Sequence, residues 1–103
     1  MKEIQGKVKK FCEENNLKTP IEHKVLDLVS EIGEMAKEVL KMSDYGRKPI
    51  NLRGEIKSET GDVFYSLITI ANYFDINLEE SLDLVLEKYK RRLKRGSAGS
   101  END

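Results

Sequence analysis

Apolar residues recur at three- and four-residue intervals along most of the chain. No stretch shows the two-residue alternation of a half-buried strand. Four helices follow from this pattern. The first runs from about Lys2 to Asn15, with Ile4, Val8 and Phe11 on one face. Thr19-Pro20 then opens a second, with Thr as N-cap and Pro at the first helical position. It reaches Met42 and carries Ile21, Val25, Leu28, Ile32, Met35 or Ala36, and Val39, the near-heptad stripe of a bundle helix. A loop over residues 43–51 is punctuated by Gly46 and Pro49. The third helix spans about Leu52 to Phe74, with Ile56, Val63, Leu67, Ile70 and Phe74 on one side. The last begins at Asn77, which with Glu80 forms a variant capping box, and ends near Gly96. Its stripe is Leu78, Leu82, Val85, Leu86 and Tyr89. The expectation is one all-α domain of four-helix bundle type over residues 1–95. The small, polar tail GSAGSEND, residues 96–103, is expected to lack a fixed fold.

Composition sharpens this picture in two ways. The 103 residues are 38% hydrophobic and 36% charged, so the core is modest, and such chains often gain stability by oligomerising. No apolar run approaches the roughly 18 residues of a membrane span. The N-terminal MKEIQGKVKK lacks the apolar region of a signal peptide, and the single Cys12 rules out an internal disulfide. These features point to a cytoplasmic protein, with Cys12 in the core or at an interface. The net charge is −1, yet residues 88–95, KYKRRLKR, hold six basic side chains in eight. Basic groups near a helix C-terminus also simply complement its dipole. His23 reads as a surface or helix-start residue rather than a catalytic one. Phosphate loops, HExxH, CxxC and nucleophile elbows are all missing from the sequence.

The candidate chemistry lies in an echo. Residues 30–34 read SEIGE and residues 58–62 read SETGD, both inside helical patterns. Glycine inside a helix costs about 1 kcal/mol relative to alanine, and clustered acids repel. On a helical wheel Glu31, Glu34 and Glu38 form a strip beside the apolar arc of the second helix. Glu59 falls within the arc of the third, and Asp62 at its edge. A carboxylate on an apolar stripe is costly unless it is paired or binds a metal. Glu31 and Glu34 precede the interhelical loop by about as many residues as Glu59 and Asp62 follow it. In an antiparallel pair all four would meet at one height, roughly 15 Å from the turn. An all-oxygen donor set suits Mg2+ or Mn2+. Gly33 and Gly61 would then let backbone or ligand approach closely. An isolated ExxE is ordinarily a solvated pattern, so interhelical salt bridging stays open beside a metal site.

The pattern Glu31-x-x-Glu34, then Glu59-x-x-Asp62, resembles the motif of the MazG-like nucleotide pyrophosphohydrolases. The contexts LVSEIGEMAKEV and EIKSETGDVFYSLITIAN are similar to that family's two metal-binding helices. Asn72 at the end of ITIAN fits as well, and so do Lys88 and Arg92, where the family places phosphate-binding basic residues. The resemblance covers roughly residues 20–95. It departs at Glu55, where some members carry a lysine four residues before the second motif; Lys57 does not replace it by helical geometry.

The resemblance implies an all-α fold whose helices pack across an oligomer interface, as a homodimer or homotetramer. It implies a magnesium-dependent hydrolase, with Mn2+ as a substitute, that splits nucleoside triphosphates into monophosphate and pyrophosphate in nucleotide-pool house-cleaning. On that basis Glu31, Glu34, Glu59 and Asp62 are the expected metal ligands. Lys88 and Arg92 would neutralise phosphate oxygens, and Asn72 would hydrogen-bond sugar or phosphate. Glu38 would join the metal shell, orient the water, or stay a solvated helix acid. Tyr65, Tyr73 and Phe74 would stack on a base or serve the core, the commoner role for aromatics at helical spacing. Two other classes compete: a non-enzymatic oligomeric scaffold, and a nucleic-acid-binding helical module using residues 88–95. The near-neutral charge argues against the second.

Overall fold

The computed structural model describes residues 1–96. Four helices account for the ordered elements, with no strand among the described residues: α1 (Lys2–Glu14), α2 (Ile21–Met42), α3 (Glu55–Tyr73) and α4 (Leu78–Lys94). The fold class is all-α. The tail expected to lack a fold lies, Gly96 apart, outside the described residues. No helix among the described residues is long and apolar enough to cross a membrane.

Local signals account for most of the helix ends. Asn77 caps α4, its side-chain oxygen accepting from the backbone N–H of Glu79 and of Glu80 at 2.9 and 3.1 Å. Gly96, in left-handed geometry (φ 81°), closes that helix, its N–H donating to the carbonyl of Leu93 at 3.0 Å. Asn16 (φ 53°) ends α1 in the same way, with Leu17 N–H bonded to the Cys12 carbonyl at 2.9 Å. The Thr19 cap does not form. Pro20 precedes the first residue of α2, and the Thr19 hydroxyl accepts from Lys24 Nζ at 3.0 Å instead.

The third helix starts at Glu55 rather than Leu52. The intervening residues serve the turn. Asp44, Tyr45 and Gly46 all have positive φ, and Asn51 N–H bonds back to the Met42 carbonyl at 2.8 Å. Arg53 folds onto Glu38 of α2, a reach that a helical start at Leu52 would redirect.

α3 is the centre of the molecule, with α2 and α1 packed antiparallel against it. Met35 meets Thr60, whose hydroxyl lies 3.8 Å from the thioether sulfur, and Glu38 meets Arg53, so numbers rise along α2 as they fall along α3. Likewise Cys12 meets Tyr65, and Gln5 meets Asn72. A helix covered on two sides must be apolar beyond one stripe. The most buried residues of α3 are accordingly Ser66, Ile68 and Ala71, none of them in the predicted stripe.

A buried polar staple fixes α1. The Gln5 amide donates to Asn72 Oδ1 at 3.1 Å and to the Ile76 carbonyl at 2.7 Å. Its oxygen accepts from Leu78 N–H at 2.9 Å, and Asn72 Nδ2 donates to the Gln5 carbonyl at 3.0 Å. One side chain thereby joins α1, the end of α3 and the orphan N–H at the start of α4.

The apolar stripes are less covered than the periodicity alone predicts. Buried hydrophobic residues are Met42, Ile68 and Ala71, while Val25, Val29, Ile32 and Val39 on α2 and Leu82, Leu86 and Leu93 on α4 all stand open. α4 packs sparsely on the other helices. The radius of gyration is 16.9 Å, against about 13 Å for a compact chain of this length.

Candidate metal centre

Two turns of helix bring three acids together. Glu31 projects from α2, and Glu59 and Asp62 project from α3. Each offers a carboxylate oxygen, and these oxygens lie within 4.8 Å of one another. Antiparallel pairing explains the meeting: Glu31 lies 11 residues before the end of α2, and Glu59 and Asp62 lie 4 and 7 residues after the start of α3, whose later start leaves residues 52–54 in the connection. Glu31 and Glu59 are half-buried and Asp62 is exposed, so the group opens to solvent on one side.

The electrostatics are those of crowded anions. The Glu31 carboxyl is held above its ordinary range, first by its removal from water and then by the charges of Asp62, Glu59, Glu34 and Asp27. Glu34 is exposed and outside the close group of three, and acts on Glu31 through its charge. Asp27, one turn before Glu31, is an acid that the motif reading did not single out. Its spacing of four from Glu31 was the available signal.

The donor set suits a hard divalent cation. Magnesium takes oxygen ligands at about 2.0–2.1 Å, so two ligands on opposite sides of one ion lie about 4.2 Å apart. Ligands at right angles on the same ion lie about 2.9 Å apart, so oxygens within 4.8 Å of one another would draw together by no more than a side-chain adjustment of about 2 Å. The residues present therefore fit such an ion.

Glu38 stands elsewhere. It is buried, and Arg53 Nε donates to its Oε1. The expectation that it extends the metal shell or orients water meets a carboxylate already engaged by a guanidinium. Arg53 also lies 3.9 Å from Glu55, the position at which the sequence departs from the lysine of related motifs. The hydrogen bond to Glu38, then the charges of Glu38 and Glu55, hold the Arg53 guanidinium above its ordinary value against an opposing desolvation. The sequence signal for this pair was weak, since the two residues are 15 apart across a loop.

The other expected residues fall in two places. Asn72 is tied into the Gln5 staple and also lines a groove with Val8, Cys12, Leu17, Lys24, Thr69 and Tyr73. That groove continues into a second, where Asp27, Tyr65 and Ser66 join Cys12, Leu17, Lys24 and Thr69. Asp27 and Ser66 are each four residues from a member of the acidic group. Lys88 and Arg92 lie on α4, their cationic groups 5.8 and 5.9 Å from the Tyr89 ring. The acidic group itself is built by α2 and α3.

Of the aromatic candidates, Tyr65 makes a contact between helices. Tyr65 meets Phe11 edge-on, with ring centroids 6.3 Å apart, and its hydroxyl lies 3.3 Å from Cys12 Sγ. That contact, together with desolvation, pushes the Tyr65 phenol up to about 12. Tyr73 and Phe74 form an edge-to-face pair at 5.0 Å, and both are exposed. His23 is exposed as expected. Gly33 and Gly61 have nothing within 4 Å of an added Cβ, so within one chain neither makes a close approach.

Comparison with known proteins agrees with this geometry. The family model described as the MazG nucleotide pyrophosphohydrolase domain matches residues 20–97. The uncharacterized protein YpjD of Bacillus subtilis (strain 168) is 43% identical over 68 residues, 63% of this chain and 60% of the relative. The match thus spans less than two thirds of that curated relative's length. Two solved structures share the fold. The Bacillus-conserved MazG protein, described as a nucleotide pyrophosphohydrolase, has a TM-score of 0.72 and 28% identity, over 85% of this chain and 86% of its own. The putative pyrophosphatase YpjD from Bacillus subtilis has a TM-score of 0.71 and 35% identity, over 89% of this chain and 94% of its own. With the paired acidic motifs on facing helices and the family model covering most of its length, the chain belongs to the MazG nucleotide pyrophosphohydrolase domain family.

Proposed function

We propose that this chain is a magnesium-dependent nucleoside triphosphate pyrophosphohydrolase that releases nucleoside monophosphate and pyrophosphate. The observation that carries this reading is the convergence of Glu31, Glu59 and Asp62 oxygens within 4.8 Å, in a chain of this family. A nucleotide-pool house-cleaning role in the cytoplasm follows from the same reading.

Glu31, Glu34, Glu59 and Asp62 would hold the cation, with Mn2+ able to substitute for Mg2+ in an oxygen-only shell. When bound, it would supply charge neutralisation for the triphosphate and a more acidic water. The acids themselves are carried on two packed helices, which fixes their positions relative to the substrate groove. Water oxygen bonds to phosphorus, the bridging P–O bond breaks, and pyrophosphate leaves with the electron pair. Lys88 and Arg92 stabilise the charge on the leaving group. The nucleoside lies in the groove between α1 and α3, bordered by Asp27, Ser66 and Thr69, with Asn72 at its far end. Tyr65 forms part of its wall.

The working unit is a homodimer or homotetramer. The open apolar residues of α2 and α4 support this, as does the wide radius of a single chain. A second copy covering those faces would bring α4 and its cations to an acidic group.

The test is a product assay. The protein is incubated with canonical and modified triphosphates, with and without Mg2+, and products are separated by anion exchange. Magnesium-dependent monophosphate and pyrophosphate are expected. Diphosphate and orthophosphate would overturn the reaction assignment, and absence of turnover by folded protein would favour a scaffold.

A further inference from the structure

The ion pair between Arg53, whose side chain is 41% exposed, and the buried Glu38 lies apart from the residues that the proposed chemistry uses. Glu38 shares a face of α2 with Glu31, two turns nearer the loop, because seven residues return almost to the same angle. Arg53 stands just before α3, six residues ahead of Glu59. Its Nε donates to Glu38 Oε1, and Glu55 lies 3.9 Å from the same nitrogen. Glu38 is 6% exposed, so Arg53 rather than bulk water partners its carboxylate.

This contact is placed to set a register. α2 and α3 are joined by a twelve-residue connection, residues 43–54, long enough to let the helices slide. A slip of one residue moves a side chain about 1.5 Å along the axis and turns it by about 100°. Either change would separate Glu31 from Glu59 and Asp62. A planar guanidinium on a buried carboxylate is direction-sensitive, so it resists both movements.

Neither member of the pair is among the charges that raise Glu31, which are Asp62, Glu59, Glu34 and Asp27; those that raise Arg53 are Glu38 and Glu55. The link between the pair and the acidic group is therefore one of position.

We infer that Arg53 is a positioning residue: through Glu38 it fixes the height of α2 against α3 and so holds Glu31 against Glu59 and Asp62. The inference rests on the metal reading of that group for its consequence, but its geometry is testable without metal.

The experiment is a double-mutant cycle on melting temperature in EDTA and moderate salt, using the full chain. It compares the parent, Arg53→Gln, Glu59→Gln and the double variant. Glu59→Gln relieves repulsion only while the acids are held together. Its gain in melting temperature is expected to fall by more than half in the Arg53→Gln background. Equal gains in both backgrounds, the behaviour of distant independent sites, would overturn the inference. Arg53→Lys, which keeps the charge without the fork, is expected to fall between, and it replaces Arg53→Gln if that variant does not fold. A parallel Mn2+ titration is expected to show about tenfold weaker binding in Arg53→Gln, or about 1.4 kcal/mol. Unchanged affinity would also overturn the inference. A parent protein that binds no Mn2+ would instead sink the metal reading and leave the cycle to judge the clasp.

Discussion

Glu31 of α2 and Asp62 of α3 present carboxylate oxygens within 4.8 Å of each other across an antiparallel helix pair, with Glu59 at the same distance or less. Two anions this close are tolerated because the hairpin is held elsewhere, by the burial of Ile68 and Ala71 and by the Arg53–Glu38 pair. The folded chain thus keeps an arrangement of mutually repelling acids, which a cation would relieve under the proposed function.

Titration follows from this. The Glu31 carboxyl is raised in the folded state above its usual 4.5. The folded form therefore binds more protons than the unfolded one in that window, and stability falls as pH rises. The penalty is absent below about 4.5 and complete above the raised folded value. Without divalent metal, the melting temperature of the parent minus that of Glu31→Gln should decline from pH 4 upward and then level off. A difference independent of pH would contradict the shift. Mg2+ affinity should increase over the same window, because protons compete for the carboxylate.

The Gln5 staple predicts a stability loss remote from the acids. Gln5→Ala leaves Asn72 Oδ1, the Ile76 carbonyl and the Leu78 N–H without the partners they have in the fold, while the bond from Asn72 Nδ2 to the backbone carbonyl of residue 5 survives. Each buried orphan costs roughly 1–3 kcal/mol, so denaturant unfolding should show a loss of about 2 kcal/mol or more.

The helix-interior glycines give a sharper test of the assembly. A Cβ at Gly61 meets nothing within 4 Å inside one chain. Gly61→Ala should therefore stabilise the fold by about 1 kcal/mol from helix propensity. If the variant instead loses activity or dissociates, a substrate or a second chain approaches that backbone.

α4 predicts oligomerisation through its own stripe. Leu82, Leu86 and Leu93 are 56%, 53% and 63% exposed. Leu86→Glu should shift the protein to a smaller species in light scattering, with pyrophosphohydrolase activity falling alongside. A monomeric parent, or an unchanged mass in the variant, would rule out this face.

Much of this was legible in the sequence. The four helices, the Asn77 cap and the Gly96 stop are local signals, each set by residues within one turn. The acidic motifs were legible too, because their equal distance from a single loop turns sequence spacing into height. Arg53–Glu38 was not. It depends on how the 43–54 segment folds back, which periodicity does not encode. Nor was the burial of Ile68 and Ala71, because a helical wheel shows one stripe while α3 is covered from two sides. The Thr19 cap failed for a similar reason: its hydroxyl found Lys24, a partner that the capping pattern does not consider.

The central claim is that a divalent cation compensates the repulsion among Glu31, Glu59 and Asp62. The most direct measurement is the melting temperature of Glu59→Gln against the parent, in EDTA and in saturating Mg2+. The account predicts a change of sign: the variant melts higher than the parent without metal and lower with it. A variant less stable than the parent in both conditions, with no Mg2+ effect on either protein, would mean that these acids are structural and hold no metal.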